Sequence, residues 1–167
     1  MKHLFFVLLS AVCAVISAAE FRIDISGVKG TSLRPVSASQ GVTLSQASWL
    51  GERKDIRMSC SVVVSKEWKT FSFTFLPKKD GKYEINLMGT SPKVKVCCDD
   101  IQAEGAVVKN GSFDKFDAKG NPSNWKKLKT PSITDGYSIT THNDRWLQTI
   151  TCKQATPVTI TFKARAL

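Results

Sequence analysis

The sequence predicts an all-β protein, because its apolar residues recur at every second position and not at the spacing of a helix. Such alternation indicates strands that turn one face toward a core. The alternating segments are bounded by Gly, Pro, Asp and Asn, and no window carries a convincing helical stripe. Many short strands in a chain of 167 residues favour one domain of two sheets packed face to face, a β-sandwich of jelly-roll type.

The N-terminus has the three parts of a secretory signal peptide. A short basic start precedes an apolar run over Leu4–Ile16, and Ser17–Ala19 supplies the small residues before a cleavage point. The apolar run is shorter than the roughly 20 residues that a membrane-spanning helix needs, and no later segment approaches that length. We therefore expect a cleaved signal peptide over 1–19, a single domain over 20–167, and a secreted, periplasmic or cell-surface protein that does not span the membrane.

Five segments of the predicted domain alternate clearly, and the last, Val158–Ala166, does so most strictly. Its polar positions project from the face away from the core, where they meet water or a ligand. Asp80-Gly81 supplies the positive φ of a tight hairpin between the third and fourth segments. Loops are expected over Gly27–Gln40 and Asn110–Gly136. The predicted core residues are Phe21, Ile23 and Ile25, then Ile56, Met58, Cys60, Val62 and Val64, then Phe71, Phe73 and Phe75, then Tyr83, Ile85 and Leu87, and finally Val158, Ile160, Phe162, Ala164 and Ala166.

Two short motifs follow one another in the second half of the chain. They are Asn110-Gly111-Ser112-Phe113-Asp114 and Gly120-Asn121-Pro122-Ser123-Asn124-Trp125. They resemble the start of carbohydrate-binding modules with the galactose-binding-like jelly-roll fold, which typically read Asn-Gly-(Asp/Ser)-Phe-(Glu/Asp) and then Gly-x-Pro-x-x-Trp. Segments similar to the closing half of those modules, Trp68–Phe75 and Val94–Ile101, come earlier. This inverted order predicts a circularly permuted single module, with one module followed by the start of a second as the alternative.

The resemblance implies a non-catalytic protein that binds a glycan by stacking sugar rings on aromatic side chains and by hydrogen bonds. Trp49 has the most polar surroundings of the four tryptophans and is the leading stacking candidate, although core packing competes with that role. The other tryptophans are interpreted as structural, and Gln148 as an interior hydrogen-bonding residue. A solvated strand face explains the polar candidates on the last strand equally well. The complete set of predicted ligand-binding residues is Trp49, Tyr137, Arg145, Lys163 and Arg165.

The resemblance also implies a structural calcium ion where the first and last strands of the module meet. Calcium takes hard oxygen ligands from carboxylates and carbonyls, and Asp99 is favoured over Asp100 because Ile101 should face the core. In the competing interpretation these acids only end strands and turns. The predicted ligands are Asp99, Asp100, Asn110, Ser112 and Asp114.

Four cysteines follow the predicted signal peptide, at Cys60, Cys97, Cys98 and Cys152. An even number in an exported chain permits disulfides in three pairings, and free core thiols are equally compatible with the sequence. Adjacent strand residues point to opposite faces, so Cys97 and Cys98 can both be buried only if a bulge interrupts the strand before Ile101.

The motifs of common enzymes are missing from the sequence, which has a single histidine, His142, beyond the signal peptide. We therefore expect no enzyme. The formal net charge of +10 suits polyanions, but export and the lack of a nucleic-acid-binding signature argue for acidic or sulfated glycans over nucleic acid. The alternative to a glycan-binding protein is a structural or protein-interaction β-sandwich of the cell envelope without a sugar site. Nothing in the sequence specifies an oligomeric state.

Overall fold

A computed structural model describes residues 18–27, 32–48 and 56–167, and these ranges form twelve strands and no helix. In chain order the strands are β1 (Ala19–Gly27), β2 (Leu33–Ala38), β3 (Val42–Ser48), β4 (Ile56–Val64), β5 (Lys69–Pro77), β6 (Gly81–Gly89), β7 (Val96–Glu104), β8 (Lys126–Leu128), β9 (Ser132–Thr134), β10 (Tyr137–Thr140), β11 (Arg145–Cys152) and β12 (Val158–Ala166). Within the described ranges, no helix has the length and hydropathy needed to cross a membrane.

The strands form two six-stranded antiparallel sheets that pack face to face. The first sheet has the order β3-β4-β1-β6-β11-β8 and the second the order β2-β5-β12-β7-β10-β9. The first and last strands lie inside opposite sheets and meet across the core, where the rings of Phe21 and Phe162 are 5.5 Å apart. The predictions of an all-β class and of a two-sheet sandwich are therefore confirmed. The inverted motif order and the galactose-binding-like assignment stay predictions.

Alternation in the sequence identified most of the core correctly. Of the predicted core residues whose side chains are described, all but Ala166 are buried, and Ala166 is half-buried at the end of β12. The side chain of Ile56 lies outside the described part. Tyr83 also points inward, and its hydroxyl lies within hydrogen-bond distance of two main-chain oxygens, those of Ser32 (2.9 Å) and Lys79 (3.0 Å), to either of which it can donate. Burying a large apolar side chain contributes roughly 1.5–3 kcal/mol, so these residues dominate the stability of the sandwich.

The loop predictions over Gly27–Gln40 and Asn110–Gly136 were wrong in part, because the first stretch contains β2 and the second contains the short strands β8 and β9. β2 is an edge strand whose pairing with β5 shifts register between Pro35 and Ser37. Proline lacks a backbone donor and a bulge breaks the alternation, so edge strands of this kind carry a weak sequence signal. β3, which the alternation also missed, is the edge of the first sheet and is only partly buried.

The break predicted near the paired cysteines is confirmed as a bulge in β7. The pairing of β7 with β12 shifts register between Thr161 and Lys163, and Asp100 has a positive φ of 49°. Because of the bulge Cys98 points into the core cluster, whereas Cys97, opposite Arg165 of β12, is buried on the outer face of the sheet. All four cysteines of the described ranges are free thiols.

Candidate functional site

Two of the predicted ligand-binding residues meet on the outer face of the second sheet, together with Trp68. The guanidinium carbon of Arg165 lies 5.0 Å from the ring centroid of Trp68 and 5.1 Å from that of Tyr137. Arg165 Nη2 also donates to the Tyr137 hydroxyl at 3.2 Å, and the two aromatic rings meet edge to face at 5.5 Å. Cation–π contacts of this kind are worth about 0.5–2 kcal/mol each. We call these three residues the Trp68–Arg165–Tyr137 cluster.

Strand alternation and strand order together build this cluster. Arg165 occupies an outward position of β12, between the buried Ala164 and the end of the strand. Trp68 immediately precedes β5, which pairs with β12, and has the same outward parity as Thr70. Tyr137 begins β10, which pairs with β7 on the other side of β12. Three residues that are far apart in sequence therefore meet only because β12 lies between β5 and β7.

The cluster combines an aromatic surface with polar groups, as recognition of a sugar requires. The Trp68 side chain is 39% exposed, whereas Tyr137 and Arg165 are half-buried. Hydroxyl groups continue along the same face, where Thr74 and Thr159 share a hydrogen bond of 2.9 Å. The Nε atom of Arg165 is buried and has no hydrogen-bond partner, so this guanidinium is not fully used by the protein.

Lys163 lies on the same face, but an ion pair directs its side chain toward the β7 bulge. Its Nζ is 2.6 Å from a carboxylate oxygen of Asp100, and both side chains are partly exposed. The hydrogen bond and the charge of Asp100 raise the pKa of Lys163. This ammonium group is therefore charged and close to the cluster, with one of its donors already engaged.

The remaining predicted ligand-binding residues lie elsewhere. Arg145 belongs to β11, in the first sheet, so it cannot share a site with Tyr137 and Arg165. Trp49 is outside the described residues. Trp68 was predicted to be structural, yet it is the exposed aromatic residue of the site. Trp68 occupies the same position in the alternation as the outward residues Thr70, Ser72 and Thr74. This pattern could have identified it as an outward aromatic residue.

The predicted calcium ligands gather only loosely. Asp99 is half-buried, its Oδ1 accepts the main-chain N–H of Asp100 at 2.7 Å, and burial raises its pKa. The carboxylate of Asp100 is held by Lys163, and Asp114 is exposed. In the described part of the chain, no group of three or more His, Cys, Asp or Glu side chains could hold a metal ion.

The side chain of Asn110 forms hydrogen bonds with backbone groups of the loop that follows it. Its Oδ1 accepts the N–H of Lys115 at 3.1 Å, and its Nδ2 donates to the carbonyl oxygens of Lys115 (2.8 Å) and Ser123 (3.1 Å). These bonds join the two motifs. The calcium ligands expected here were main-chain oxygens near Asn110 and Ser112, and the main-chain oxygen of Asn110 accepts the N–H groups of Phe113 (3.2 Å) and of the Trp125 indole (2.9 Å). Calcium binding stays a prediction.

A groove of about 630 Å³ runs along the edge of the first sheet, between β11 and the segment that follows β7. Three lysines, Lys109, Lys126 and Lys153, lie along it, and neither aromatic nor acidic residues line it. Gln148, at its base, is buried, and its amide exchanges two hydrogen bonds with the backbone of Lys109, at 2.7 and 2.8 Å. The interior role predicted for Gln148 is confirmed.

The fold places the chain among two-layer β-sandwich proteins with antiparallel sheets. No protein-family model, no curated protein and no solved structure matches the chain. The outer face of the second sheet, with its exposed aromatic and cationic cluster, is thus the feature on which a proposal of function rests.

Proposed function

We propose that the protein is an exported, non-catalytic carbohydrate-binding protein whose ligand lies on the outer face of the second sheet. The observation that carries this proposal is the Trp68–Arg165–Tyr137 cluster, in which a partly exposed indole lies beside a half-buried guanidinium. The signal peptide expected over 1–19 supports export. The motifs at Asn110 and Gly120 support a relationship to carbohydrate-binding modules.

The cluster suits a sugar because its two kinds of group match the two kinds of surface on a pyranose ring. Axial C–H groups pack on the face of an aromatic ring, here the exposed part of Trp68. Ring hydroxyls accept hydrogen bonds from cationic donors, here Arg165 and Lys163. A carboxylate or sulfate group on the sugar gains additional charge-assisted bonds from the same donors. Acidic and sulfated glycans are therefore the preferred ligand class.

The alternative is a structural or protein-interaction role in the cell envelope, and one observation favours it. Arg165 already covers part of both aromatic rings and bonds to the Tyr137 hydroxyl, as expected if the cluster mainly stabilises the sheet. The two roles differ in a measurable way, because only glycan binding requires the exposed part of Trp68.

A glycan array tests the proposal with three forms of the protein: wild type, Trp68→Ala and Phe116→Ala. Phe116 is a matched control, since its aromatic side chain is 51% exposed but lies in the loop after Asp114. We expect wild type and Phe116→Ala to bind the same acidic glycan and Trp68→Ala to bind about tenfold more weakly, a loss of about 1.4 kcal/mol. If no glycan binds, or if Trp68→Ala binds as well as wild type, the proposal is wrong.

A further inference from the structure

A second charged cluster lies on the outer face of the first sheet, around the buried carboxylate of Asp24. The side chain of Asp24 is only 2% exposed. Its oxygens lie 3.2 Å from Arg22 Nε and 3.4 Å from Arg57 Nη1, and one accepts the Ser59 hydroxyl at 2.6 Å. A buried carboxyl group needs partners for its oxygens, and the two arginines and Ser59 supply them.

Strand register explains why these side chains meet. Asp24 pairs with Ser59 of β4 on one side and with Asn86 of β6 on the other, and Arg22 pairs with Met88. All are outward positions, because Phe21, Ile23 and Ile25 fill the inward ones. Met88 is nevertheless fully buried, and Arg22 Nη2 lies 3.4 Å from its sulfur, so the Arg22 side chain packs over Met88.

Arg145 adds a third positive charge to the cluster. It begins β11, one residue before the buried Trp146, which pairs with Leu87 of β6, so its backbone lies beside Met88 and its side chain is on the same outward face as Arg22. The Nε of Arg145 donates to the main-chain oxygen of His142 at 2.6 Å. Burial, above all, and the charges of Arg22 and Arg57 lower its pKa, while the charge of Asp24 raises it. In the described ranges Asp24 is the only acid in an ion pair with any of the three arginines. Three guanidinium groups thus face one carboxylate.

The carboxylate of Asp24 neutralises only one of the three guanidinium charges. The Nε and Nη2 of Arg22 both face Asp24, at 3.2 and 3.5 Å, whereas the Nε of Arg57 is buried and has no hydrogen-bond partner. Neighbouring like charges repel one another, and a bound anion would relieve that repulsion. The arginine fork suits sulfate and phosphate oxygens, which accept paired N–H groups.

We propose that Arg22, Arg57 and Arg145 form a binding site for a tetrahedral oxyanion, sulfate or phosphate, on the outer face of the first sheet. The oxyanion is either a free ion or an ester group carried by a sugar. This site is on the opposite sheet from the Trp68–Arg165–Tyr137 cluster and does not depend on the function proposed for that cluster.

Thermal unfolding of the full chain tests the site, with millimolar sodium sulfate or phosphate compared with sodium chloride at equal ionic strength. The informative variant is Arg145→Gln, because Arg145 makes no ion pair with Asp24 and glutamine can still donate a hydrogen bond. The matched control is Arg34→Gln, which removes an exposed arginine from β2 in the other sheet. A ligand that binds only the folded state raises the melting temperature in a saturable way.

We expect sulfate to raise the melting temperature of wild type and of Arg34→Gln, and to raise that of Arg145→Gln no more than chloride does. A rise shared by all three proteins is a general salt effect and overturns the proposal, as does the absence of a rise in wild type. If Arg145→Gln does not fold, Arg145→Lys replaces it, and its apparent affinity for sulfate should be at least several-fold weaker because lysine cannot form the paired contact. Unchanged affinity in Arg145→Lys overturns the proposal.

A comparison of three ligands shows whether the oxyanion is a free ion or an ester group on a sugar. A sulfated disaccharide is compared with its unsulfated form and with inorganic sulfate in the same assay. Tighter binding of the sulfated sugar than of inorganic sulfate assigns an ester ligand, and equal affinity assigns the free ion. Trp68→Ala should leave the response to inorganic sulfate unchanged, so failure of the sugar site and failure of this site remain distinguishable.

Discussion

The indole Nε1–H of Trp125 donates a hydrogen bond of 2.9 Å to the main-chain oxygen of Asn110. The ring of Trp125 also lies 5.1 Å from that of Phe113, and both side chains are buried. The two motifs that resemble carbohydrate-binding modules are therefore joined by direct contacts. Trp125 belongs to the buried core, in keeping with the structural role expected for it, and takes no part in the exposed cluster.

The hydrogen bond of Trp125 should be measurable in stability. Trp125→Phe keeps an aromatic ring but removes the donor, and we expect it to lower the free energy of unfolding by about 1–2 kcal/mol more than Trp146→Phe does. Trp146 is a matched control because it is buried and its Nε1–H makes only a long contact, 3.4 Å, with Ser132. Urea denaturation measures both variants. Equal losses would show that the bond to Asn110 contributes nothing.

Gly105 is required by both its backbone and its surroundings. Its φ is +79°, and a Cβ atom there would overlap the main-chain carbonyl of Pro157. Gly120 has a similar φ of +73°, but a Cβ there would meet no atom within 4 Å. We expect Gly105→Ala to cost about 1–3 kcal/mol more than Gly120→Ala, because only the first adds a steric clash to the backbone strain. Chemical denaturation measures the free energy of unfolding of both variants. Equal losses in the two would contradict the predicted overlap with the Pro157 carbonyl.

The four buried thiols should be unreactive in the folded protein. Burial raises the pKa of Cys60, Cys97 and Cys98, and it raises that of Cys152 to about 11. Only the thiolate reacts, so native protein at pH 8 should be alkylated at these sites far more slowly than urea-unfolded protein. Peptide mapping by mass spectrometry assigns the label to each cysteine. Fast labelling of any of the four under native conditions would contradict their burial.

The same thiols make stability depend on alkaline pH. In the unfolded chain a thiol ionises near pH 8.5, whereas in the folded protein burial keeps it protonated. The stabilisation is therefore complete below about pH 8.5 and is lost as pH rises toward the folded-state pKa, about 11 for Cys152. Cys152→Ala should show a smaller fall in melting temperature than wild type between pH 8 and 10. Identical slopes would contradict the raised pKa.

Calcium binding predicts that EDTA lowers the melting temperature and that added calcium restores it, because a metal held only by the folded state stabilises that state. Asp99→Asn should abolish the response to calcium, while Asp135→Asn, at an exposed turn, should keep it. A melting temperature that does not change with chelator would rule out the calcium ion that the resemblance implies.

Alternation predicted the strands whose faces differ sharply, and it failed where they do not. β12 and β5 were predicted because buried Phe or Ile residues alternate in them with Thr and Lys. In β2, which contains Pro35 and a register shift, apolar and polar residues do not alternate clearly. The sites were harder to predict than the strands. The meeting of Trp68 with Arg165, and of Asp24 with Arg57, depends on which strands are neighbours and in which register, and single-strand patterns do not contain that information.

The extra residue in β7 determines which side chains of this strand point into the core. Counting back from the buried Ile101 without a bulge, Asp99 and Cys97 would point between the sheets, and Cys98 and Val96 would point to solvent. An ionised carboxylate between two apolar sheets would cost several kcal/mol. The extra residue at the bulge, where Asp100 has a φ of 49°, reverses this alternation. Cys98 and Val96 therefore point into the core, and the carboxylate of Asp99 points away from it. Deleting this one residue would therefore exchange the inside and the outside of half a strand.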